Sequence, residues 1–284
     1  MSIYYVDQTL GNDGNDGLSQ GNPWKTVAKV NASSFSAGDS ILFKKGEIWR
    51  EQLTVPSSGN AGNLITFGAY GSGVNPIVTG ADVITTWSED PIANIWYATL
   101  AGATPAKILT YDRIKGTIQT AKANLIATGD WWHDTANNLL YLRTTSDPDS
   151  FYTSPGVEAG QRNQPLLVSN KVYLSFDSLQ FMHGNSTSLS LGFCTAGCQN
   201  TDFTSCLFEF GANTGLFLDS DGSNLTDCEF GFFDSIGLDI DSCDNVTVDG
   251  GSAHDCVGSG AGGYYVGAIT PTADNIVINN VTVY

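Results

Sequence analysis

The fold is decided by two stretches that share one pattern: Cys206-Leu-Phe-Glu-Phe-Gly-Ala-Asn-Thr-Gly-Leu-Phe-Leu-Asp219 and Cys228-Glu-Phe-Gly-Phe-Phe-Asp-Ser-Ile-Gly-Leu-Asp-Ile-Asp241. Each stretch contains two short segments in which apolar residues alternate with other residues, as they do in β-strands. Gly and Asn separate these segments and favour tight turns. Short strands that recur along a chain are typical of a parallel β-helix, in which every repeat forms one coil.

Asparagines mark the same repeat elsewhere in the chain. They precede predicted strands at Asn170, Asn200, Asn224, Asn245 and Asn275, at intervals of 30, 24, 21 and 30 residues. Asn and Gly adopt the left-handed backbone conformation at little cost, so we expect these asparagines at equivalent corners of successive coils. Stacked coils also predict three ladders of like side chains: Phe208 over Phe230, Phe210 over Phe232, and Cys206 over Cys228.

The chain is predicted to have three parts. Residues 1–80 contain an N-terminal cap helix near Trp24–Val30 and the first coils. Residues 81–162, which hold four of the six tryptophans, form a small β insertion, and residues 163–284 form the remaining coils. Because the sequence ends within a strand-like segment, we expect further coils in a longer protein. The predicted fold class is all-β: a right-handed parallel β-helix with a cap helix and an insertion.

The chain is strongly acidic, with a net charge of −17 and all twelve Lys and Arg residues between Lys25 and Lys171. The segment Val172–Tyr284 contains fourteen acidic residues and no basic one. Such a surface repels nucleic acid and anionic lipid. There is also no run of about 18 apolar residues. We therefore expect no nucleic-acid partner and no membrane insertion.

Several segments of the first half resemble a known family. They are Tyr4-Tyr-Val-Asp7, Gly11-Asn-Asp-Gly-Asn-Asp-Gly17, Pro23-Trp-Lys-Thr26, Gly38-Asp-Ser-Ile-Leu-Phe-Lys-Lys-Gly46 and Leu64-Ile-Thr-Phe-Gly-Ala-Tyr-Gly71. They resemble the opening of bacterial and phage right-handed parallel β-helix proteins of the pectate-lyase-like superfamily. That superfamily includes polysaccharide lyases, glycoside hydrolases and phage tailspikes, so the resemblance implies a fold more closely than an activity.

The resemblance implies an extracellular or virion-surface protein that acts on a polysaccharide or a surface glycan. The lyases of the superfamily need a Lys or Arg base, which the coils after Lys171 do not supply. Its hydrolases use aspartates on consecutive coils, so we favour a glycoside hydrolase over a lyase. Two alternatives stay open. One is a non-catalytic glycan-binding module of the tailspike or adhesin type, which would be an oligomer (a trimer for a tailspike), and the other is a structural spacer.

Three aspartates are the candidate catalytic residues: Asp219, Asp239 and Asp241. If the apolar residues between them point inward, these carboxylates point outward on one face, with Asp219 and Asp241 on neighbouring coils. Phe217 would then lie beside Asp239 and offer a surface for stacking against a sugar. Carboxylates that lie this close raise one another's pKa, as a general acid requires.

The same acidic region has two other interpretations. Asp219, Asp221, Asp241 and Asp244 could supply the oxygen ligands of a Ca²⁺ site, which is the one cofactor that the sequence suggests. Alternatively, these aspartates are solvated residues at turns.

One histidine and two adjacent tryptophans complete the candidate site. In a strand, one of Trp131 and Trp132 faces inward and the other faces outward, where it could stack on a sugar ring or pack on the coils. His254 is the histidine nearest in sequence to the candidate aspartates. We interpret Trp131, Trp132, His254 and Phe217 as candidate substrate-binding residues.

Overall fold

The structure is a computed structural model that describes residues 1–102, 104–187, 192–241, 243–256, 264–267 and 275–284. For residues 192–197 and 264–267 it describes the backbone alone. Its elements are 29 strands, two short α-helices and one 3-10 helix. The α-helices contain five and four residues, and within the described ranges no helix is long and apolar enough to cross a membrane.

The first part of the chain contains short strands and one helix. In chain order these are β1 (Ile3–Val6), α1 (Val27–Asn31), β2 (Ser40–Lys44), β3 (Ile48–Trp49), β4 (Leu53–Thr54), β5 (Ile65–Tyr70) and β6 (Ile77–Thr79). Helix α1 begins after Thr26, whose Oγ1 accepts a hydrogen bond from the Lys29 amide at 3.0 Å and so caps the helix. A helix is therefore present near the predicted stretch, and its role as a lid on the coils stays a prediction.

Antiparallel strands follow, and they form two small sheets. They are β7 (Ala81–Ile84), β8 (Ser88–Glu89), β9 (Ile95–Thr99), β10 (Leu109–Tyr111), β11 (Ile114–Lys115), β12 (Thr117–Ile118), β13 (Asp130–Asp134), β14 (Leu139–Arg143) and β15 (Val157–Gly160), with α2 (Pro148–Phe151) before the last. The sheet orders are β11-β10-β15-β7 and β12-β13-β14-β9-β8. These two sheets, which we call the insertion, have an apolar core of their own.

Short parallel strands then resume. They are β16 (Leu166–Val168), β17 (Val172–Asp177), β18 (Gln180–Gly184), β19 (Gly192–Thr204), β20 (Leu207–Gly211), β21 (Leu216–Asp221), β22 (Asn224–Thr226), β23 (Glu229–Phe233), β24 (Leu238–Asp241), β25 (Thr247–Asp249), β26 (Ser252–His254), β27 (Tyr264–Gly267), β28 (Val277–Asn279) and β29 (Thr282–Val283).

Each complete coil contributes one strand to each of three faces, whereas the coils that begin with β1 and β28 contribute to fewer faces. Face 1 contains β1, β2, β5, β17, the second half of β19, β22, β25 and β28. Face 2 contains β3, β6, β18, β20, β23, β26 and β29. Face 3 contains β4, β16, the first half of β19, β21, β24 and β27. All neighbours within a face are parallel, and their inward side chains form one continuous apolar core. This is the predicted parallel β-helix.

The predicted ladders are present in this core. The rings of Phe208 and Phe230 stack with centroids 5.2 Å apart, and those of Phe210 and Phe232 stack at 5.0 Å. The strand register also places Cys206 over Cys228, and both are buried. Among the described cysteines none forms a disulfide, and four of the five are buried.

The corner between face 3 and face 1 differs from the prediction at two positions. The register aligns Tyr173, Asn200, Gly222, Asn245 and Asn275, and all five have positive φ. Asn245 and Asn275 are equivalent as predicted, and their side chains share a hydrogen bond of 3.1 Å. The prediction was wrong for Asn224 and Asn170. Gly222 occupies the corner instead of Asn224, because glycine accepts this conformation more readily than asparagine, and Tyr173 occupies it instead of Asn170.

The insertion is attached at one corner of the coils. Its first and last strands, β7 and β15, pair with each other, and the amides of Gln161 and Arg162 both donate to the carbonyl oxygen of Gly80 at 2.9 Å. The buried imidazole of His183 joins the two parts, since it hydrogen-bonds Thr79 Oγ1 at 2.8 Å and Thr110 Oγ1 at 2.9 Å. The insertion therefore packs against the face 2 side of the coils.

Candidate active site

The three candidate aspartates lie together on the outer side of face 3. Strands β21 and β24 pair so that Phe217 lies opposite Asp239. The same register places Asp219 opposite Asp241 on the next coil. The alternate residues Leu216, Leu218, Leu238 and Ile240 are fully buried in the core. Because neighbouring strands are about 4.8 Å apart, the arrangement brings carboxylates of two coils close to one aromatic ring.

Asp239 has the most unusual environment of the three. Its Oδ1 is buried and has no hydrogen-bond partner among the described residues. Burial, and then the charge of Asp241, raise the pKa of Asp239 to about 6. Burial, Asp241 and Asp221 also raise the pKa of Asp219. A carboxyl group that keeps its proton near pH 6 can donate that proton to a leaving group.

The predicted calcium site at Asp219, Asp221, Asp241 and Asp244 stays a prediction. Asp221 is exposed, and its Oδ1 accepts the Asp244 amide at 2.8 Å, which is the role of a residue that stabilises a turn. Elsewhere in the described part of the chain, face 2 carries two glutamates and one histidine whose possible metal-ligand atoms lie close together.

The two tryptophans belong to the insertion and not to face 3. Trp131 is 1% exposed and packs in the core of the insertion, where it also borders the pocket described below. Its predicted role in substrate binding stays a prediction. Trp132 faces the other side of β13, is partly exposed and stacks on Tyr141 at 5.4 Å. Its ability to bind sugar stays a prediction, but it lies on a different sheet from the aspartates.

His254 also lies apart from the aspartates. It is on β26 of face 2, so the structure does not bring it to the site for which the sequence suggested it. Its Nδ1 lies 3.0 Å from Asp255 Oδ2, and its Nε2 lies 3.1 Å from Glu229 Oε1. Burial lowers the pKa of His254, but these two hydrogen bonds outweigh burial and raise the pKa above its ordinary value.

Two glutamates beside His254 were missed by the sequence reasoning. Glu209 and Glu229 project from β20 and β23, and their carboxylates lie close to the imidazole. Burial and the nearby Glu229 carboxylate raise the pKa of Glu209. We call Glu209, Glu229 and His254 the glutamate–histidine cluster.

A pocket of about 310 Å³ lies between the insertion and the coils. Lys115 of the insertion and Asp234 of the coils line it, and their side chains form an ion pair at 2.6 Å. The lining includes neither the aspartates nor the glutamate–histidine cluster. It therefore provides space at the junction of the two parts but no carboxylate pair.

Comparison with solved structures identifies the fold. The complex of XylC with xylose aligns with a TM-score of 0.74 and 12% identity, covering 99% of this chain and 63% of that one. A structure described as a glycoside hydrolase aligns with a TM-score of 0.69 and 12% identity, covering 90% and 74%. Pectate lyase Pel9A aligns with a TM-score of 0.52 and 14% identity, covering 90% and 48%. The chain has the parallel β-helix fold.

One curated relative supports a closer, local similarity. A lacto-N-biosidase of Bifidobacterium longum subsp. longum is 36% identical over 101 residues, which are 33% of this chain and 6% of that protein. The chain thus spans a small fraction of that relative and about two thirds of XylC. No family model matches the chain.

Proposed function

We propose that this protein hydrolyses glycosidic bonds in a polysaccharide or oligosaccharide, using the aspartates of face 3. The observation that carries the proposal is the buried Oδ1 of Asp239, which has no hydrogen-bond partner among the described side chains. The pKa of this carboxyl group is raised to about 6, and the group lies beside Phe217. A carboxyl group that keeps its proton up to about pH 6 next to an aromatic side chain has the chemistry of a proton donor to a bound sugar.

In this mechanism Asp239 donates its proton to the leaving glycosidic oxygen. Asp241 lies two residues along the same strand, about 7 Å away, and removes a proton from the attacking water. A separation in this range leaves room for the water between the carboxyl group and the sugar, so the product is expected with inverted anomeric configuration. Asp219, on the neighbouring coil, would bind sugar hydroxyls, and Phe217 would stack on the ring.

The comparisons support a carbohydrate substrate. The similar proteins include a lacto-N-biosidase, XylC with xylose and a glycoside hydrolase. The name of each one refers to a sugar that it cleaves or binds. The acidic surface favours a neutral glycan over a uronate polymer, which it would repel. We propose that the protein meets this glycan outside the cell or at a virion surface.

The test is a panel of poly- and oligosaccharides assayed for new reducing ends and for unsaturated uronate absorbance. Hydrolysis produces reducing ends without the absorbance, whereas a lyase produces both. Asp239→Asn is expected to lower kcat by a factor of about 10²–10⁴. The matched control is Asp177→Asn, at an exposed aspartate on face 1. Binding of a glycan without turnover would contradict the proposal and favour a binding module.

A further inference from the structure

The glutamate–histidine cluster brings together one nitrogen and two carboxylate donors from three consecutive coils. Glu209, Glu229 and His254 lie on β20, β23 and β26, and their donor atoms all lie within 4.8 Å of one another. His254 is 7% exposed, stacked on Tyr284 at 5.4 Å and in edge contact with Phe232 at 5.1 Å. The imidazole is therefore held in one place by its neighbours.

Gly231 makes room for this arrangement. The register aligns Glu209, Gly231 and His254 on adjacent coils, so the middle position of the ladder carries no side chain. A Cβ at Gly231 would lie 2.5 Å from Cε1 and 2.7 Å from Nε2 of His254. The missing side chain allows Glu209 and His254 to approach each other across one coil.

Asp255 sets the chemical state of the imidazole. Its carboxylate lies 3.0 Å from Nδ1 of His254, so Nδ1 carries a proton and donates it to Asp255. This leaves Nε2 as the nitrogen that points at Glu229 and Glu209. A carboxylate that orients a histidine in this way is the usual second layer of a metal site.

We infer that Glu209, Glu229 and His254 form a binding site for a divalent transition-metal cation of the Zn²⁺ class. Two carboxylates balance the charge of the cation, and His254 Nε2 supplies its nitrogen ligand. Ca²⁺ and Mg²⁺ prefer oxygen ligands alone, so the imidazole favours Zn²⁺, Co²⁺ or Mn²⁺ over them. Three protein ligands leave a further position for water.

The site is independent of the proposed hydrolysis, because it lies on face 2 and the aspartates lie on face 3. Cation binding at this site would have one structural consequence. A cation bound here would link the coils that carry β20, β23 and β26, and would stabilise the folded state over the unfolded chain by mass action.

The test is titration of the full chain, freed of any polyhistidine tag and treated with a chelator, with Zn²⁺ and with Co²⁺. Calorimetry is expected to give one site per chain for Zn²⁺, and the melting temperature is expected to rise with the concentration of Zn²⁺. Bound Co²⁺ reports the ligands, because thiolate ligation adds a charge-transfer band that nitrogen and oxygen ligands lack. Cys256 is the nearby thiol, and Cys256→Ser is expected to bind Co²⁺ like the unmodified chain.

Three variants locate the site. Glu209→Gln and His254→Gln are expected to weaken Zn²⁺ binding at least 100-fold, and Asp255→Asn by about 10–100-fold. Glu89→Gln, the same chemical change at an exposed glutamate of the insertion, is expected to leave the affinity unchanged. Circular dichroism of each variant without metal verifies that it folds. If a ligand variant fails to fold, Gly231→Ala provides the second test, because its methyl group displaces the imidazole.

Several results would overturn the inference. They are no saturable binding of Zn²⁺ or Co²⁺, equal affinity in the Glu209→Gln and Glu89→Gln variants, a thiolate band with Co²⁺, or equal affinity for Ca²⁺ and Zn²⁺. Absence of binding would assign the cluster to an ion-pair network in which a protonated His254 bridges Asp255 and Glu229.

Discussion

The ring of Phe208 lies parallel to the ring of Phe230 on the next coil, with centroids 5.2 Å apart and planes inclined by 9°. Both side chains are fully buried. Phe230→Ala is therefore expected to lower the free energy of unfolding by about 3–5 kcal/mol, because it leaves a cavity inside the stack. Urea unfolding of both proteins measures the difference. Phe151→Ala, at an exposed ring, is the control and should change stability by less than about 0.5 kcal/mol.

The stability of the protein should depend on pH through Asp239. Its pKa is about 6 in the folded state and 3.8 ordinarily, so the folded state binds this proton more tightly than the unfolded chain. The resulting stability is fully present below pH 3.8 and is lost as the pH rises through 6. Asp239→Asn should remove about 1–2 kcal/mol of this pH dependence between pH 4.5 and 7.5, because solvent screens this half-buried group and reduces the full effect. An unchanged pH dependence, as expected for Asp177→Asn, would contradict the assignment.

The turnover number should depend on pH through the same carboxyl group, that of Asp239. If Asp239 is the proton donor, kcat falls as the pH rises through about 6, because the donor loses its proton. The measurement is a pH–rate profile on a cleaved substrate. If Asp239→Asn keeps residual activity that still falls as the pH rises through about 6, another group supplies the proton.

His183 should give the opposite dependence. Burial is the main cause that lowers its pKa to about 4 in the folded state, against an ordinary value of 6.5. The associated stability is fully present above pH 6.5 and is lost as the pH falls towards 4. A decrease of about 2 kcal/mol is expected between pH 7.5 and pH 5. In His183→Gln, which keeps a hydrogen-bonding side chain, this part of the decrease should disappear from unfolding curves at the two pH values.

The ion pair between the partly exposed Arg50 and the buried Glu158 joins the coils to the insertion. The two side chains meet at 2.7 Å, and Glu158 is 3% exposed. Arg50→Met leaves a buried carboxylate without its partner and should cost about 3–5 kcal/mol of stability. The double variant Arg50→Met with Glu158→Leu should recover most of that loss. Equal stabilities of the single and double variants in urea would contradict this account.

The sequence predicted the ladders well, because alternation and repeat length together define which side chains face the core. It predicted the corners less well. The sequence contains both Gly222 and Asn224 near one corner, and both residue types tolerate positive φ, so spacing alone could not choose between them. At Tyr173 and Phe232 bulky residues adopt positive φ, which local preference does not predict. The ring of Phe232 stacks there on Phe210, which has the same conformation on the preceding coil.

The aspartates of face 3 could be predicted because they repeat in register, Asp219 opposite Asp241. The glutamate–histidine cluster could not be predicted in this way. Glu209 aligns with Gly231, and Glu229 aligns with Leu207, so the two glutamates are out of register and look unrelated in a comparison of repeats. The approach of Glu209 to His254 depends on the space at Gly231, which appears only when the coils are stacked. The available signal was an acidic residue next to an inward phenylalanine on each of two coils.

Both ends of the insertion are held by the carbonyl oxygen of Gly80, so the chain leaves and rejoins the coils at nearly one point. Such a junction allows a segment to be inserted between two coils without separating them. The free-energy cost of closing a connection rises by about 0.6 kcal/mol for each doubling of its length, so replacing a turn of about four residues by a connection of about 80 adds roughly 2.6 kcal/mol. The apolar core of an inserted module can offset a cost of this size. In evolutionary terms the corner is a place where modules can be exchanged without shifting the register of any coil. For protein engineers it is a grafting position that presents a foreign domain beside face 2.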